Sequence, residues 1–282
     1  PFFKYKYCIW YYEREERLKI DEIKHPSVRE CLKFSKIKDG IEIVHNADLP
    51  ALSGLGSSSS FTVGLLNALS ALKGRMLTKK ELTNNAIYIE QKMIKENVGS
   101  QDQSAASFGG LNRIDFGGPN ELVVNPIVLD KSYEKKFQDN LLLIFTGLSR
   151  KASVVAKEQI SKIRDNKKKY LKLYDIVNEA EEILRNKKNV DQIGELLKYQ
   201  WKIKKTLSSS ITNEKIEKII SVGEKNGAIG AKLLGAGSGG FIVFYARKKN
   251  HQKILKSLKK HLYVPFRFDH TGSQIIYYSN NR

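Results

Sequence analysis

The sequence predicts an α+β fold in two domains, on three observations. Short stretches with the two-residue period of strands are mixed with longer stretches whose apolar residues recur every three or four positions. A glycine- and serine-rich loop, Pro50-Ala51-Leu52-Ser53-Gly54-Leu55-Gly56-Ser57-Ser58-Ser59-Ser60, stands between a strand-like run and a helical one. In the second half, a block of helices precedes closely spaced strands in an order consistent with a split β-α-β sandwich. At 282 residues and 41% hydrophobic, the chain has material for two modest domains with buried cores.

Taken in order, Tyr5, Tyr7, Ile9 and Tyr11 alternate with Lys4, Lys6 and Cys8, which predicts a strand over residues 1–12. The chain opens on Pro1 inside that strand, and a segment preceding it is expected. Ile23, Val28, Cys31 and Leu32 form the inner face of a short helix begun near Pro26, and Ile41, Ile43 and Val44 make a strand running towards the loop. Beyond the serines, Phe61, Leu65, Leu66, Leu69 and Leu72 mark a buried helix stopped at Gly74. Thr78-Lys79-Lys80-Glu81 is a capping box opening the next helix, with Leu82, Ala86, Ile89 and Met93 on its core face. Glu90 lies about 100° round that helix from Ile89, where it would border a cavity.

A polar stretch from Asn97 to Gln103 and a small-residue run, Ser104 to Ser107, lead to strands at Leu111 to Phe116 and Leu122 to Val128. A domain boundary is expected between residues 139 and 140, giving a nucleotide-binding domain over 1–139 and a second domain over 140–282. That second domain starts with a strand, Leu141 to Phe145. Three helices are expected between Lys151 and Leu207, and another over Glu214 to Lys225. The glycine-rich stretch 227–240 is followed by the strand Phe241 to Ala246, a helix near Gln252 to His261, and strands at Val264 to Phe268 and Gln274 to Tyr278.

Composition narrows the function classes. Cys8 and Cys31 have no zinc or redox-pair spacing, so a reducing compartment is expected. No apolar run reaches the roughly 20 residues of a membrane span, and a cytoplasmic protein without membrane partners is expected. The formal charge of +19 raises nucleic acid as a partner, but the lysines are spread over many helices instead of forming one basic arm, so none is expected. A basic surface instead favours anionic, phosphorylated small molecules.

The loop at 54–60 reads as a phosphate cradle: glycines allow close backbone approach, and Ser57, Ser58, Ser59 and Ser60 place hydroxyl and N–H groups at a helix start. The local pattern also fits an ordinary N-capped helix. Phosphoryl transfer needs a cradle, an oxygen ligand for Mg²⁺ and a group beside the attacking hydroxyl. Gly54, Leu55, Gly56 and the serines supply the first. Ser57 or Ser58 with Glu90 supply the second, and Asp102 the third. The glycines of Gly235-Ala236-Gly237-Ser238-Gly239-Gly240 form a second loop, placed before a strand and so in the wrong order for a dinucleotide fold. The Walker pattern is absent. Lys232 and Arg150 are phosphate contacts on charge alone, and the five histidines show no metal or nucleophile spacing.

Pro50 to Ser60 resembles the second motif of the GHMP kinases, Pro-x-x-x-Gly-Leu-Gly-Ser-Ser, and Gly230 to Gly240 resembles their third. Glu90 to Asp102 is similar to the family's acceptor region, a metal-binding glutamate followed by a catalytic aspartate in an Asp-Gln pair. Asn97-Val98-Gly99-Ser100-Gln101-Asp102-Gln103, Phe108-Gly109-Gly110 and Val264-Pro265-Phe266-Arg267-Phe268 look most like the heptose-phosphate members. The resemblance implies a ribosomal-protein-S5-like N-terminal domain and a ferredoxin-like C-terminal domain with extra helices. It implies ATP over Gly54 to Ser60 backed by Gly235, Gly237 and Gly239, Mg²⁺ on Ser57, Ser58 and Glu90, and Asp102 at the acceptor. The implied reaction phosphorylates the anomeric hydroxyl of D-glycero-D-manno-heptose 7-phosphate to the 1,7-bisphosphate. Fucose or galactose as acceptor, and a non-catalytic sugar and nucleotide sensor, are the rival expectations. The family's first motif, an arginine with a glycine-rich turn, has no counterpart here: Arg14 and Arg17 lie in a charged stretch without glycines. A protein starting at Pro1 is expected to have a damaged acceptor site.

Overall fold

The computed structural model describes residues 4–48, 54–117, 122–148 and 152–279. The chain divides into two compact units, one of Pro1–Ala51, Gly56–Gly109 and Thr271–Arg282, the other of Leu52–Leu55 and Gly110–His270. The expected division at 139/140 differs from these units. Ile127 and Phe137, on its N-terminal side, pack into a core with Ile176, Ile183 and Tyr245 of the second unit.

In the first unit, β1 (Tyr7–Trp10) pairs antiparallel with β2 (Arg14–Arg17) and parallel with β3 (Ile41–Val44). The charged sequence of β2 hid this strand. Its Glu15 is 2% exposed and accepts from the backbone N–H groups of Lys24 and His25 at 2.8 and 3.0 Å and from the Tyr11 hydroxyl at 2.9 Å. Helix α1 (Pro26–Phe34) starts with proline in its first turn, where no N–H is missed, and buries Val28, Cys31 and Leu32. These side chains meet Ile9, Leu66, Leu69, Ala86 and Ile89 in one apolar core.

Three further elements complete this unit: α2 (Ser57–Leu72), α3 (Lys79–Tyr88), which runs on into a π turn (Ile89–Met93), and α4 (Gln101–Phe108). The capping box at Thr78 and Glu81 is formed. Helix α4 carries no apolar stripe; its buried face is Gln103, Ser104 and Ser107, which is why its sequence read as polar loop and small-residue run. The segment after residue 270 is tied to the same helix. Lys79 Nζ donates to the carbonyls of Phe108 and Thr271, Ser273 N–H donates to Ala106 O, and Asn67 Nδ2 donates to Ser273 Oγ.

The second unit begins with the antiparallel pair β4 (Asn112–Phe116) and β5 (Leu122–Pro126), then α5 (Lys131–Asp139), capped by Asp130 accepting from Ser132 and Tyr133 N–H groups. Its main sheet has the order β7-β8-β6-β9 and is antiparallel throughout: β6 is Leu141–Phe145, β7 Ala228–Leu233, β8 Phe241–Ala246 and β9 Tyr263–Val264. The helices are α6 (Ala152–Ser161), α7 (Lys167–Arg185), α8 (Asp191–Lys204), α9 (Glu214–Lys225) and α10 (His251–Ser257).

Strand β7 lay inside what read as glycine-rich loop, because its small residues serve helix contact. A Cβ on Gly230 would lie 2.0 Å from the Gly194 carbonyl oxygen of α8, and one on Gly223 of α9 would lie 2.1 Å from the Phe244 ring. The strand expected over Val264 to Phe268 is reduced to Tyr263–Val264, and no strand forms over Gln274 to Tyr278, where Ile276 and Tyr277 are exposed. Among the described residues no helix is long and apolar enough to cross a membrane.

Candidate active site

The first turn of α2 is the centre of the site in the first unit. Gly56, at φ +71°, occupies the N-cap in the left-handed region, and no side chain caps the helix. The N–H groups of Ser57, Ser58 and Ser59 therefore point from a sixteen-residue helix with no side-chain acceptor, an arrangement suited to an anion. A Cβ on Gly56 would sit 2.8 Å from Cγ and 3.0 Å from Oδ2 of Asp102. Glycine at this position thus lets the Asp102 carboxyl lie directly on the cradle backbone.

Asp102 stands in the first turn of α4 and is exposed to solvent, yet the protein massed around its carboxyl raises its pKa above the ordinary value by desolvation. Glu90 is 1% exposed, held in the π turn, where a wider helical turn buries Ile89 and Glu90 together. Burial pushes its pKa up, against the lowering effect of hydrogen bonds from Ser59 and Gln103 and of the nearby Thr62 hydroxyl, which itself donates to Ser58 O at 3.1 Å. Its Oε2 accepts from Ser59 Oγ at 2.8 Å and from Gln103 Nε2, whereas Oε1 is buried without a partner among the described residues.

These contacts sort the expected residues. Glu90, Gly56 and Asp102 gather around the start of α2. Ser59, not Ser57 or Ser58, bonds Glu90; Ser57 is half-buried and Ser58 and Ser60 are exposed in the same turn. Mg²⁺ fits the chemistry of these donors: a buried carboxylate oxygen that lacks a partner among the described residues, on a carboxylate bonded to the serine turn through Ser59, is a hard oxygen ligand. No cluster of three or more His, Cys, Asp or Glu suited to a metal occurs among the described residues, so serines and the nucleotide would complete its shell.

In the second unit, Gly54 (φ +79°) lies with its Cβ position 3.6 Å from Gly240 Cα and 3.7 Å from Gly239 O, and a Cβ on Gly235 would come within 2.8 Å of Gly54 O. Glycine therefore packs on glycine, backbone to backbone. The loop is pinned from outside: Ser238 N–H donates to Ile211 O, Gly240 N–H to Leu148 O, and both the N–H and the hydroxyl of Thr146 to Gly240 O. Lys204, at the C-terminal turn of α8, donates to Gly235 O at 2.6 Å. Desolvation lowers its pKa to about 7, with Lys232 contributing, and lowers Lys232 to about 8.

Lys232 was expected from charge; Arg150 and Ser53 lie outside the described residues. Sequence reasoning missed Ser59 as the Glu90 partner, Gln103 as more than the neighbour of Asp102, and Lys204. It also read His45 as incidental, although its ring lies 4.3 Å from that of Phe61 in the second turn of α2. The signal for Gln103 was available: a buried amide beside Ser104 and Ser107 gives a polar i, i+1, i+4 face.

Two family models match this chain: GHMP kinases N terminal domain over residues 25–110, and GHMP kinases C terminal over residues 177–264. The D-glycero-alpha-D-manno-heptose 7-phosphate kinase of Campylobacter jejuni is 29% identical over 256 residues, 88% of this chain and 75% of that protein. The bifunctional fucokinase/GDP-fucose pyrophosphorylase of Arabidopsis thaliana is 27% identical over 79% of this chain, which spans only 21% of that longer protein. A solved D-glycero-D-manno-heptose 1-phosphate kinase from Bacteriodes thetaiotaomicron shares the fold at a TM-score of 0.73, with 23% identity, covering 97% of this chain and 84% of that one.

Proposed function

The chain belongs to the GHMP kinase family, and from that premise we propose that it transfers the γ-phosphoryl group of ATP to the anomeric hydroxyl of a heptose 7-phosphate. The observation that carries the reading is the Asp102 carboxyl lying against Gly56 at the uncapped start of α2. A phosphate received by the first-turn N–H groups would then lie beside a carboxylate able to hold an attacking hydroxyl.

In this reading the backbone N–H groups of Ser57, Ser58 and Ser59 hold phosphate oxygens. Glu90 Oε1, with Ser57 or Ser58, would hold Mg²⁺, which when bound neutralises charge on the β- and γ-phosphate oxygens. The acceptor hydroxyl donates its hydrogen bond to an Asp102 carboxylate oxygen. As the new O–P bond forms and the bond to the β-phosphate oxygen breaks, the proton passes to Asp102 and ADP leaves. Because the transition state is loose, this transfer comes late, and Asp102 orients the hydroxyl before it accepts the proton. Its raised pKa suits that late role.

The heptose acceptor is favoured by the Campylobacter relative; the fucokinase relative keeps fucose, and a galactokinase relative galactose, as the runner-up. ADP release over a panel of heptose 7-phosphate, fucose, galactose and mevalonate tests the choice. The heptose phosphate is expected to give a kcat/KM at least about tenfold above the others, a difference of about 1.4 kcal/mol in transition-state binding. Turnover confined to fucose or galactose would transfer the assignment. Sugar and nucleotide binding without ADP release from any acceptor would make the protein a sensor.

A further inference from the structure

The two oxygens of Glu90 have different surroundings. Oε2 accepts from two donors, Ser59 Oγ of α2 and Gln103 Nε2 of α4, while Oε1, equally buried, accepts from none among the described residues. Gln103 is itself 0% exposed, and its own Oε1 has no partner either. Nothing about packing requires a glutamine there. A buried amide with an unsatisfied oxygen is costly, so an apolar residue of that size would serve the helix better. The amide is therefore explained by what its N–H group does.

The helix that carries Gln103 is tied to the π turn that carries Glu90, where Gln91 Nε2 donates to Ser100 Oγ at 3.2 Å. Ser104 Oγ donates to Ser100 O at 2.7 Å, and the C-terminal end of α4 is tied through Lys79 and Ser273. Donor and carboxylate thus meet from two elements that are bonded to each other at both ends of α4, which fixes their separation. With Oε2 engaged twice, rotation of the carboxylate about its last bond costs two hydrogen bonds, and Oε1 stays the free oxygen.

We propose that Gln103 is a positioning residue which, with Ser59, locks the Glu90 carboxylate so that Oε1 alone is presented as a ligand to the magnesium ion of the bound nucleotide. Gln103 follows Asp102 directly, so the same turn of α4 sets the metal ligand and the acceptor-side carboxylate. A disturbance of α4 moves both together. The inference rests on the kinase reading above.

The test is the ratio of ADP dissociation constants without and with Mg²⁺, measured by calorimetry on the wild-type protein and on Gln103→Met and Ser59→Ala, with circular dichroism to establish folding. Packing damage alone changes melting temperature and leaves that ratio in place. The proposal expects Mg²⁺ to tighten ADP binding in the wild type and this advantage to shrink about 10–100-fold in Gln103→Met, with a smaller loss in Ser59→Ala. In turnover it expects kcat to fall while the acceptor KM holds. A folded Gln103→Met with the wild-type ratio overturns the proposal. Should that variant fail to fold, Ser59→Ala decides in the same way, an unchanged ratio overturning it. If Mg²⁺ gives no advantage in the wild type, the kinase reading itself falls and takes the inference with it.

Discussion

Both units have an apolar core, and they differ in how much polar surface is buried around it. In the first, Ser59, Thr62, Asn67, Thr83, Glu90, Gln103, Ser104 and Ser107 are all buried among or beside α2, α3 and α4. In the second, the sheet core is an apolar set of Leu142, Ile144, Leu233, Ile242 and Phe244 with Ile211, Ile216 and Ile220, and the close contacts are made by glycine. A polar seam of that size costs stability and is retained where its groups hold one another in place. An apolar core with glycine contacts costs little and gives a rigid backbone. On the proposed reading the chemistry lies in the first unit, and substitutions in each unit are expected to fail in different ways.

Asp102→Asn should have the largest effect on turnover, a fall of about 10³-fold in kcat, with ADP affinity close to wild type. Steady-state kinetics and calorimetry check both halves; a near-normal kcat would remove the seam from the chemistry. Gly56→Ala should follow at about 100-fold, because the new methyl group displaces the Asp102 carboxyl from the cradle and a misplacement near 1 Å costs that much. A left-handed alanine should also lower stability by about 1–3 kcal/mol, read by thermal unfolding.

For the second unit the expected failure is of folding. Gly230→Ala sets a methyl group against the Gly194 carbonyl and should destabilise by about 3 kcal/mol or more; denaturant melts of the variant measure it, and a wild-type midpoint would show that α8 and β7 have room to part. Gly235→Ala sets a methyl group at a left-handed position against the Gly54 carbonyl oxygen and should lower stability by about 1–3 kcal/mol, read by the same melts; a wild-type midpoint would show that the two glycine turns have room to part.

The smallest effect is on pH dependence. Asp102 must be ionised to accept the proton, and its pKa is raised, so kcat/KM should fall with acid at a pH above that of an ordinary aspartate. In stability the sign reverses: a carboxyl whose folded pKa exceeds its unfolded one weakens the fold as pH rises between the two. Asp102→Asn should therefore melt slightly higher at neutral pH, by about 1–2 °C given its exposure. A lower melting point would show the carboxylate to be stabilising.

Elements with an apolar stripe were legible in the sequence, as were caps with two-residue chemistry: α1, α2, the Thr78–Glu81 box, β6 and β8. Those with a polar or small buried face were not. Strand β2 is hidden by Glu15, α4 by Gln103, Ser104 and Ser107, and β7 by the glycine and alanines that admit α8, because hydrophobic period is blind to burial paid for by hydrogen bonds or by close approach. The site followed the same rule. Gly54, Gly56, Glu90 and Asp102 could be chosen from residue type and order, whereas the pairing of Glu90 with Ser59 and Gln103 depends on how α2, the π turn and α4 meet.

The central claim is most directly tested by phosphorus NMR of the wild-type protein incubated with ATP, Mg²⁺ and D-glycero-D-manno-heptose 7-phosphate. A new phosphate resonance coupled to the anomeric proton, growing with the ADP signals while the 7-phosphate signal persists, is the predicted result. ATP consumed without that resonance, or left intact while ADP binding is normal, would contradict it.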